Sequence, residues 1–292
     1  MVLPREIDLG DGGGDRPFCT MSDHQPRQGE TKSLTPSQHA ENFRSEGFSV
    51  VPGVFSEAEV AEIRAAIEEA AGRMPGAGPS TKGAMVFHTN CYRFSERLQE
   101  LCADPRLVEL VRPLAGDDYW IRWDQCVAKG PGAPVFPWHQ DNAYNGLKDE
   151  HFQVWIALSE MTELNGGVRF APGSHRAGRL PHTRNGAHHV VDQEPTNGLL
   201  VKAKPGDVVL FSSLLLHQTG ENESEEPRWA YVLEFMKAKH FDPVSKLPYF
   251  MVVEKGRPSL RWTTWYKGRV HPANAVKYLS WRLKNAAKAL RG

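Results

Sequence analysis

Between Tyr119 and Met236 the chain breaks into short runs rich in Val, Ile, Leu, Phe and Trp, at 119–128, 152–158, 167–171, 199–203, 207–211, 213–217 and 229–236, separated by turn-forming residues. Runs of that length between turn formers read as β-strands of an antiparallel sheet protein. Seven or eight strands over this length predict two facing sheets, as a sandwich or barrel. The fold class is therefore mainly β with flanking helices.

The helices lie ahead of the strands. Thr35-Pro36-Ser37-Gln38 combines a hydroxyl cap, a proline at the first helical position and a glutamine at the third, which starts a helix that Gly47 ends. Phe48 to Val51 reads as a strand. Ser56-Glu57-Ala58-Glu59 is a second capping box, opening a helix with Val60, Ile63 and Ile67 on one face and Gly72 at its close. Met74 to Gly83 reads as a loop. Asp104-Pro105 opens another helix, with Leu107, Leu110, Val111 and Leu114 inward and Gly116 as its stop. These helices are expected to pack outside one sheet.

Residues 1–34 hold the run Leu9-Gly-Asp-Gly-Gly-Gly-Asp15 and no hydrophobic period, so a disordered arm is expected there. Residues 35–292 read as a single domain. Its last stretch, about 273–291, is helical in pattern, with Val276, Leu279, Trp281, Leu283 and Leu290 set to pack on the sheet or against a second subunit.

Charge narrows the function classes. Lys plus Arg and Asp plus Glu both number 35, so no broad cationic field exists to recruit nucleic acid. The longest nearly apolar stretch, Val208 to Leu216, is too short to span a bilayer, and the first thirty residues carry charges where a signal sequence would be apolar. Cys19, Cys91, Cys102 and Cys126 show no CxxC spacing and read as buried free thiols. A cytoplasmic protein acting on a small molecule is the expectation.

The strongest chemical signal is Trp138-His139-Gln140-Asp141 followed by His217, 76 residues beyond Asp141. Residues at i and i+2 of an extended chain project to one side, so His139 and Asp141 can share an ion with a second imidazole from another strand. Such a facial triad leaves positions open, as in non-haem Fe(II) oxygenases. Roughly one or two HxD or HxE patterns arise by chance in such a chain, and this one has three. His39-Ala40-Glu41 lies in a helix, where i and i+2 diverge, and His240-Phe241-Asp242 has only His271 downstream; both read as surface residues. His217 closes Leu214-Leu215-Leu216, and Arg228 opens a strand eleven residues later. If those strands run near each other, Arg228 supplies a cationic fork for a small dicarboxylate chelating the metal.

Together these residues resemble the phytanoyl-CoA dioxygenase family of Fe(II)- and 2-oxoglutarate-dependent oxygenases. The similar elements are Trp138-His-Gln-Asp141, Val154-Trp-Ile-Ala-Leu158, Asn165-Gly-Gly167, Pro172-Gly-Ser-His175, Lys204-Pro-Gly-Asp207 and His217-Gln-Thr-Gly-Glu-Asn222 with Ser224 and Arg228. The resemblance runs from about residue 38 to 236. It implies a double-stranded β-helix, or jelly roll, with Fe(II) on His139, Asp141 and His217, and with 2-oxoglutarate and O2 as cosubstrates. It also implies that Arg228 and Thr219 meet the distal carboxylate of 2-oxoglutarate and that Trp155, Gln125 and Asn90 border it. Halogenating relatives lack the carboxylate ligand, so Asp141 implies oxygen transfer, with 2-oxoglutarate converted to succinate and CO2. The same oxidant serves hydroxylation, desaturation, epimerisation and ring closure.

Phe136, Trp138, Asn142 and Tyr144 flank the ligands and are candidates for the substrate pocket. Arg176 to Pro195 lacks strand periodicity and reads as a cationic lid loop suited to an anionic substrate. No phosphate-cradling loop is visible, so an acyl-CoA substrate does not follow from the family's name. Two other readings keep the His/Asp/His site: a cupin-like isomerase or hydrolase using Zn or Mn, which needs neither Arg228 nor Thr219, and a non-catalytic jelly-roll binding protein.

Overall fold

The computed structural model describes residues 34–74, 82–240, 242, 245 and 248–264. In chain order the elements are α1 (Pro36–Glu46), β1 (Phe48–Val51), α2 (Glu57–Gly72), β2 (Met85–Thr89), α3 (Glu96–Cys102), α4 (Pro105–Ala115), β3 (Tyr119–Lys129), β4 (Phe136–His139), α5 (Asp141–Asn145), β5 (Phe152–Ala157), β6 (Val168–Phe170), β7 (His182–Asn185), β8 (His188–Val191), β9 (Leu199–Leu200), β10 (Val208–Ser212), β11 (His217–Thr219), β12 (Arg228–Lys237), β13 (Tyr249–Glu254) and β14 (Arg257–Thr263). The larger sheet runs β1-β10-β5-β12-β3-β13-β14, with β2 also joined to β3, and the smaller one runs β4-β11-β6-β9. The pairings are antiparallel in both. The two sheets form the jelly roll.

Strand alternation sets the layers. On β12, Tyr231, Leu233 and Phe235 join the core beneath the helices, with Val154 and Ile156 of β5, Val208 and Leu210 of β10, and Ile63, Ile67, Leu107 and Val111 of α2 and α4. The residues between them turn the other way. Ala230 and Val232 of β12, Trp155 of β5 and Val209 and Phe211 of β10 meet Val168 and Phe170 of the smaller sheet. The central strands are therefore apolar on both faces, one covered by helices and one by the second sheet.

Both expected capping boxes form, at Thr35 with Gln38 and at Ser56 with Glu59. Gly47 ends α1 at φ 89°, its N–H donating to the Phe43 carbonyl. A Cβ there would lie 2.6 Å from the Leu215 Cδ1, so both backbone conformation and space call for glycine.

Several local expectations are corrected. Residues 213–217 are not a strand: Leu215 N–H closes a turn on the Ser212 carbonyl at 2.9 Å, and His217 begins β11 rather than ending a strand. The apolar run serves a buried turn, with Leu215 and Leu216 packing into different clusters. The segment read as an aperiodic lid loop contains the β7–β8 hairpin. His39 is buried, its Nδ1 2.8 Å from Ser49 Oγ, because α1 lays that face on β1. Asp242 is buried too, paired with Arg122. Cys91, Cys102 and Cys126 are free and buried as expected. The N-terminal arm through residue 33, Cys19, residues 75–81 of the expected loop and the 273–291 segment lie outside the described residues. No helix among those described is long and apolar enough to cross a membrane.

Candidate active site

β4 and β11 pair with His139 directly opposite His217, which sets their ring centroids 4.1 Å apart. The chain stays extended through Gln140 (φ −113°, ψ 141°) and then turns into α5, whose first residue is Asp141. That extension keeps residues 139 and 141 on one side. Asp141 Oδ1 lies 3.9 Å from His139 Nε2 and 3.7 Å from His217 Nε2, and the three donor groups fall within 4.8 Å of one another. Gln140 is wholly buried and clamps the corner, its amide donating to the Gly178 and Leu214 carbonyls and its oxygen accepting from Leu180 N–H.

Hydrogen bonds fix which ring nitrogen faces the centre. His139 Nδ1 is 2.8 Å from the Pro137 carbonyl and His217 Nδ1 is 2.9 Å from the Leu215 carbonyl. A carbonyl only accepts, so each Nδ1 carries the proton and each Nε2 presents a lone pair. Burial keeps both rings neutral, holding His217 down to about 4 and His139 well below its usual range, the latter reinforced by His217. Burial pushes Asp141 up to about 7, helped by Glu234, while Gln153 Nε2 donates to Oδ2 at 3.0 Å. A divalent cation at this point would draw the carboxylate back to its ionised form. Two neutral imidazoles and one carboxylate suit a ferrous ion, and all three residues line one cavity of about 580 Å³.

Arg228 begins β12 opposite Lys129 of β3, 1% exposed. None of its three guanidinium nitrogens has a hydrogen-bond partner among the described residues. Its Cζ sits 5.2 Å over the ring of Trp155, which walls the cavity together with Thr219. Burial lowers it to about 10, still charged at neutral pH. A buried, unpaired guanidinium is costly unless a ligand completes it, and a carboxylate is its natural complement. The donor set thus fits an iron ion at one place and a dicarboxylate reaching from it.

The expected approach of the His217 and Arg228 strands takes another form: β11 and β12 belong to different sheets. Lys129 spans the gap. It is fully buried, and its ammonium donates to the Pro134 carbonyl at 2.6 Å and to Thr219 Oγ1 at 3.2 Å. Burial, then Arg228 beside it, lowers Lys129 to about 8. Gly166 makes room for it, since a Cβ there would lie 2.6 Å from the Lys129 Cε. Asn222 ties the loop before Arg228 to the end of β3 by donating to the Lys129 and Glu226 carbonyls.

Of the remaining candidates, Gln125, Phe136 and Tyr144 line the cavity. Trp138, Asn142 and Asn90 do not. Trp138 faces away from the ligands, packing with Ala171, Val191 and Leu216, as alternation beside His139 requires. Asn142 is buried and donates to the Leu147 and Asp149 carbonyls, holding the turn after α5. Asn90 adopts φ 62° at the start of a 3-10 turn, and its neighbour Thr89 contributes to the wall instead. The sequence reading missed Lys129, Gln153, Arg122 and Glu234. Gln153 was discoverable as the polar residue in the apolar run 152–158; the other three become visible only through strand pairing.

The sequence profile of the phytanoyl-CoA dioxygenase family matches residues 43–230, well over half of the chain. The chain belongs to that family. This phytanoyl-CoA dioxygenase family member is 27% identical over 222 residues to the methylphosphonate hydroxylase of Gimesia maris, covering 70% of this chain and 81% of that one. Among solved structures, EvdO2 of Micromonospora carbonacea var. aurantiaca in complex with 2-oxoglutarate is 26% identical with a TM-score of 0.56, covering 80% of this chain and 100% of that one. The non-haem carbocyclase SnoK from nogalamycin biosynthesis, 19% identical, shares the fold at a TM-score of 0.59 over 78% of this chain and 96% of its own. Several other curated relatives match over about half of their own length. The family member is a dioxygenase-like oxidoreductase of the Fe(II)/2-oxoglutarate class, with Fe(II), 2-oxoglutarate and O2 as cofactor and cosubstrates.

Proposed function

We propose that the protein holds Fe(II) on His139, Asp141 and His217, anchors 2-oxoglutarate at Arg228 and Thr219, and oxidises a small organic metabolite by hydrogen abstraction, giving a hydroxylated product. The observation that carries this reading is the pairing of an open three-donor centre with a buried guanidinium whose nitrogens have no partner among the described residues. A zinc or manganese isomerase would have no use for that cation, and a binding module would have no use for the open centre.

Bound iron supplies the oxidising chemistry, using O2 and 2-oxoglutarate and releasing succinate and CO2. The chain's own residues do the rest. Gln153 holds one Asp141 oxygen so that the other stays turned toward the two imidazoles. Lys129 engages a lone pair of Thr219 Oγ1, leaving the hydroxyl hydrogen to donate to the cosubstrate. Trp155 stacks on Arg228 and limits its approach to water. Phe87, Phe136 and Tyr144 give the substrate an apolar wall, with ring centroids 6.3 Å apart along each step. His188 of the hairpin packs edge-on against Phe136 at 4.6 Å, so the hairpin covers this wall. The cavity size suits one small metabolite beside the cosubstrate.

Anaerobic addition of Fe(II) and 2-oxoglutarate is expected to give a weak visible charge-transfer band, and admission of O2 is expected to yield succinate. Bound Fe(II) without the band would favour the isomerase or hydrolase reading. A band with no succinate across a broad metabolite panel would favour a binding protein.

A further inference from the structure

The cavity has a polar end, at Arg122 and Glu234, that the iron and cosubstrate reading leaves unused. On β12 the inward positions run Arg228, Ala230, Val232 and Glu234, so Glu234 lies six residues, roughly 20 Å, along the strand from Arg228. It pairs with Gln153 on one side, whose amide holds Asp141, and with Trp123 on the other. The register of β12 against β3 then slips: Glu234 faces Trp123 and Phe235 faces Ile121, leaving Arg122 as an extra, bulged residue. Without the bulge, Arg122 would share the helix-covered face with Asp124. The bulge re-aims it into the cavity, which Arg122, Trp123 and Glu234 all line.

Arg122 Nη1 donates to Glu234 Oε2 and its Nε donates to Asp242 Oδ2, both at 2.6 Å, so one cation meets two buried carboxylates. His151 Nε2 stands 3.4 Å from the same Glu234 oxygen. Glu234 is 6% exposed and its Oε1 has no hydrogen-bond partner among the described residues, although that atom keeps accessible surface. A carboxylate oxygen accepts and does not donate. An ammonium group would satisfy it through a charge-assisted bond, with the indole of Trp123 on the same cavity wall as a further attraction.

We infer that Glu234, set by the Arg122 bulge, is the substrate-recognition end of the cavity and takes the protonated amine of a small metabolite whose hydrocarbon body lies along the Phe87, Phe136 and Tyr144 wall. The assignment rests on the iron and 2-oxoglutarate reading, because it places the amine one residue away from Asp141 and hence the neighbouring C–H bonds at the oxidising centre. The N–H groups left on Arg122 can donate to an adjacent neutral oxygen of the same molecule. Anionic substrates meet the Glu234 carboxylate and are disfavoured.

Two isosteric sets test this at pH 8, where the amines are charged: 2-phenylethylamine, 2-phenylethanol and 3-phenylpropionate, and hexylamine, hexanol and heptanoate. Binding to the anaerobic protein loaded with Fe(II) and 2-oxoglutarate is measured by calorimetry and by perturbation of the visible band. In at least one set the amine is expected to bind about tenfold or more tightly than the alcohol, with the carboxylate weakest. Glu234→Gln should remove the amine preference, leave the alcohol within about twofold and preserve the band. Equal binding of amine and alcohol, tightest binding of a carboxylate, no binding by any probe, or an undiminished preference in a folded Glu234→Gln protein would overturn it. The wild-type order decides the matter even if that variant does not fold. Loss of the band in wild type would sink the function reading instead, so the two failures are distinguishable.

Discussion

The two faces of the larger sheet are made by the same strands, yet they treat buried polar groups differently. On the helix-covered face, Asp124 is fully buried and its Oδ2 accepts from Tyr92 N–H and the Tyr231 hydroxyl. Around it the surroundings are hydrocarbon from α2, α3 and α4. On the inner face, Arg228 is just as deeply buried and donates to no described residue, and Glu234 leaves an oxygen open. Buried polar groups in a folded chain almost always find partners. The outer face follows that rule at Asp124 Oδ2 but leaves Asp124 Oδ1 and the Tyr92 and Tyr119 hydroxyls without a partner among the described residues, so the contrast is one of charge: the inner face keeps a whole guanidinium for molecules that are not part of the chain. Stability and function are thus divided between alternate residues of single strands, Tyr231 and Leu233 on one side, Arg228 and Glu234 on the other.

The largest break in this comparison comes from the metal ligands. Asp141→Ala is expected to lower succinate formation by 100-fold or more with little change in melting temperature, as measured by succinate assay and thermal unfolding. Arg228→Ala should raise the 2-oxoglutarate concentration required by about 30-fold or more, since removing the partner of a buried charge typically costs about 2–5 kcal/mol of binding. Because the guanidinium donates to no described residue, urea midpoints without cosubstrate should move far less than those of Tyr231→Phe, which strips Asp124 of a donor. A large loss of stability on removing Arg228 would erase the distinction between the two faces.

Asp124 supplies a pH signature for the outer face. Burial raises its carboxyl to about 7, against the opposing hydrogen bonds from Tyr231 and the Tyr92 backbone. The native protein therefore holds a proton that the unfolded chain releases near pH 4, and this contribution to stability is complete below that pH and lost as pH rises through about 7. Asp124→Asn should flatten urea midpoints between pH 4 and 7. The smallest effect is expected at the surface. Arg106 hydrogen-bonds Glu59 and Asp104, and with Ser56 it holds Glu59 down to about 2. That stabilisation is present above pH 4.5 and fades as pH falls toward 2, so Arg106→Ala should cost about 1 kcal/mol at pH 7 and less at pH 2, where its bond to the Val54 carbonyl and its contact over Phe55 remain, by urea unfolding.

Much of this was legible in the sequence because it depends on local rules. Capping residues at Thr35 and Ser56 name helix starts without knowledge of what packs on them, and His139-Gln-Asp141 projects to one side in any extended chain. What escaped depends on pairing. Leu214-Leu215-Leu216 has the composition of a strand, yet the Leu215 N–H closes a turn and the three carbonyls accept from the Gln140 and His217 side chains and from Ala171 N–H. β4 was hidden by Pro137, and the inward course of Arg122 follows from a bulge that no spacing announces. Lys129 falls just past the 119–128 run, and only its pairing with β12 sets it against Arg228.

The most direct test is diffraction from anaerobic crystals grown with Fe(II) and 2-oxoglutarate, using the iron anomalous signal. The account predicts one iron bound by His139 Nε2, His217 Nε2 and the Asp141 carboxylate, with the far carboxylate of 2-oxoglutarate on the Arg228 guanidinium. Iron held elsewhere, or a cosubstrate that leaves Arg228 without a partner, would contradict it.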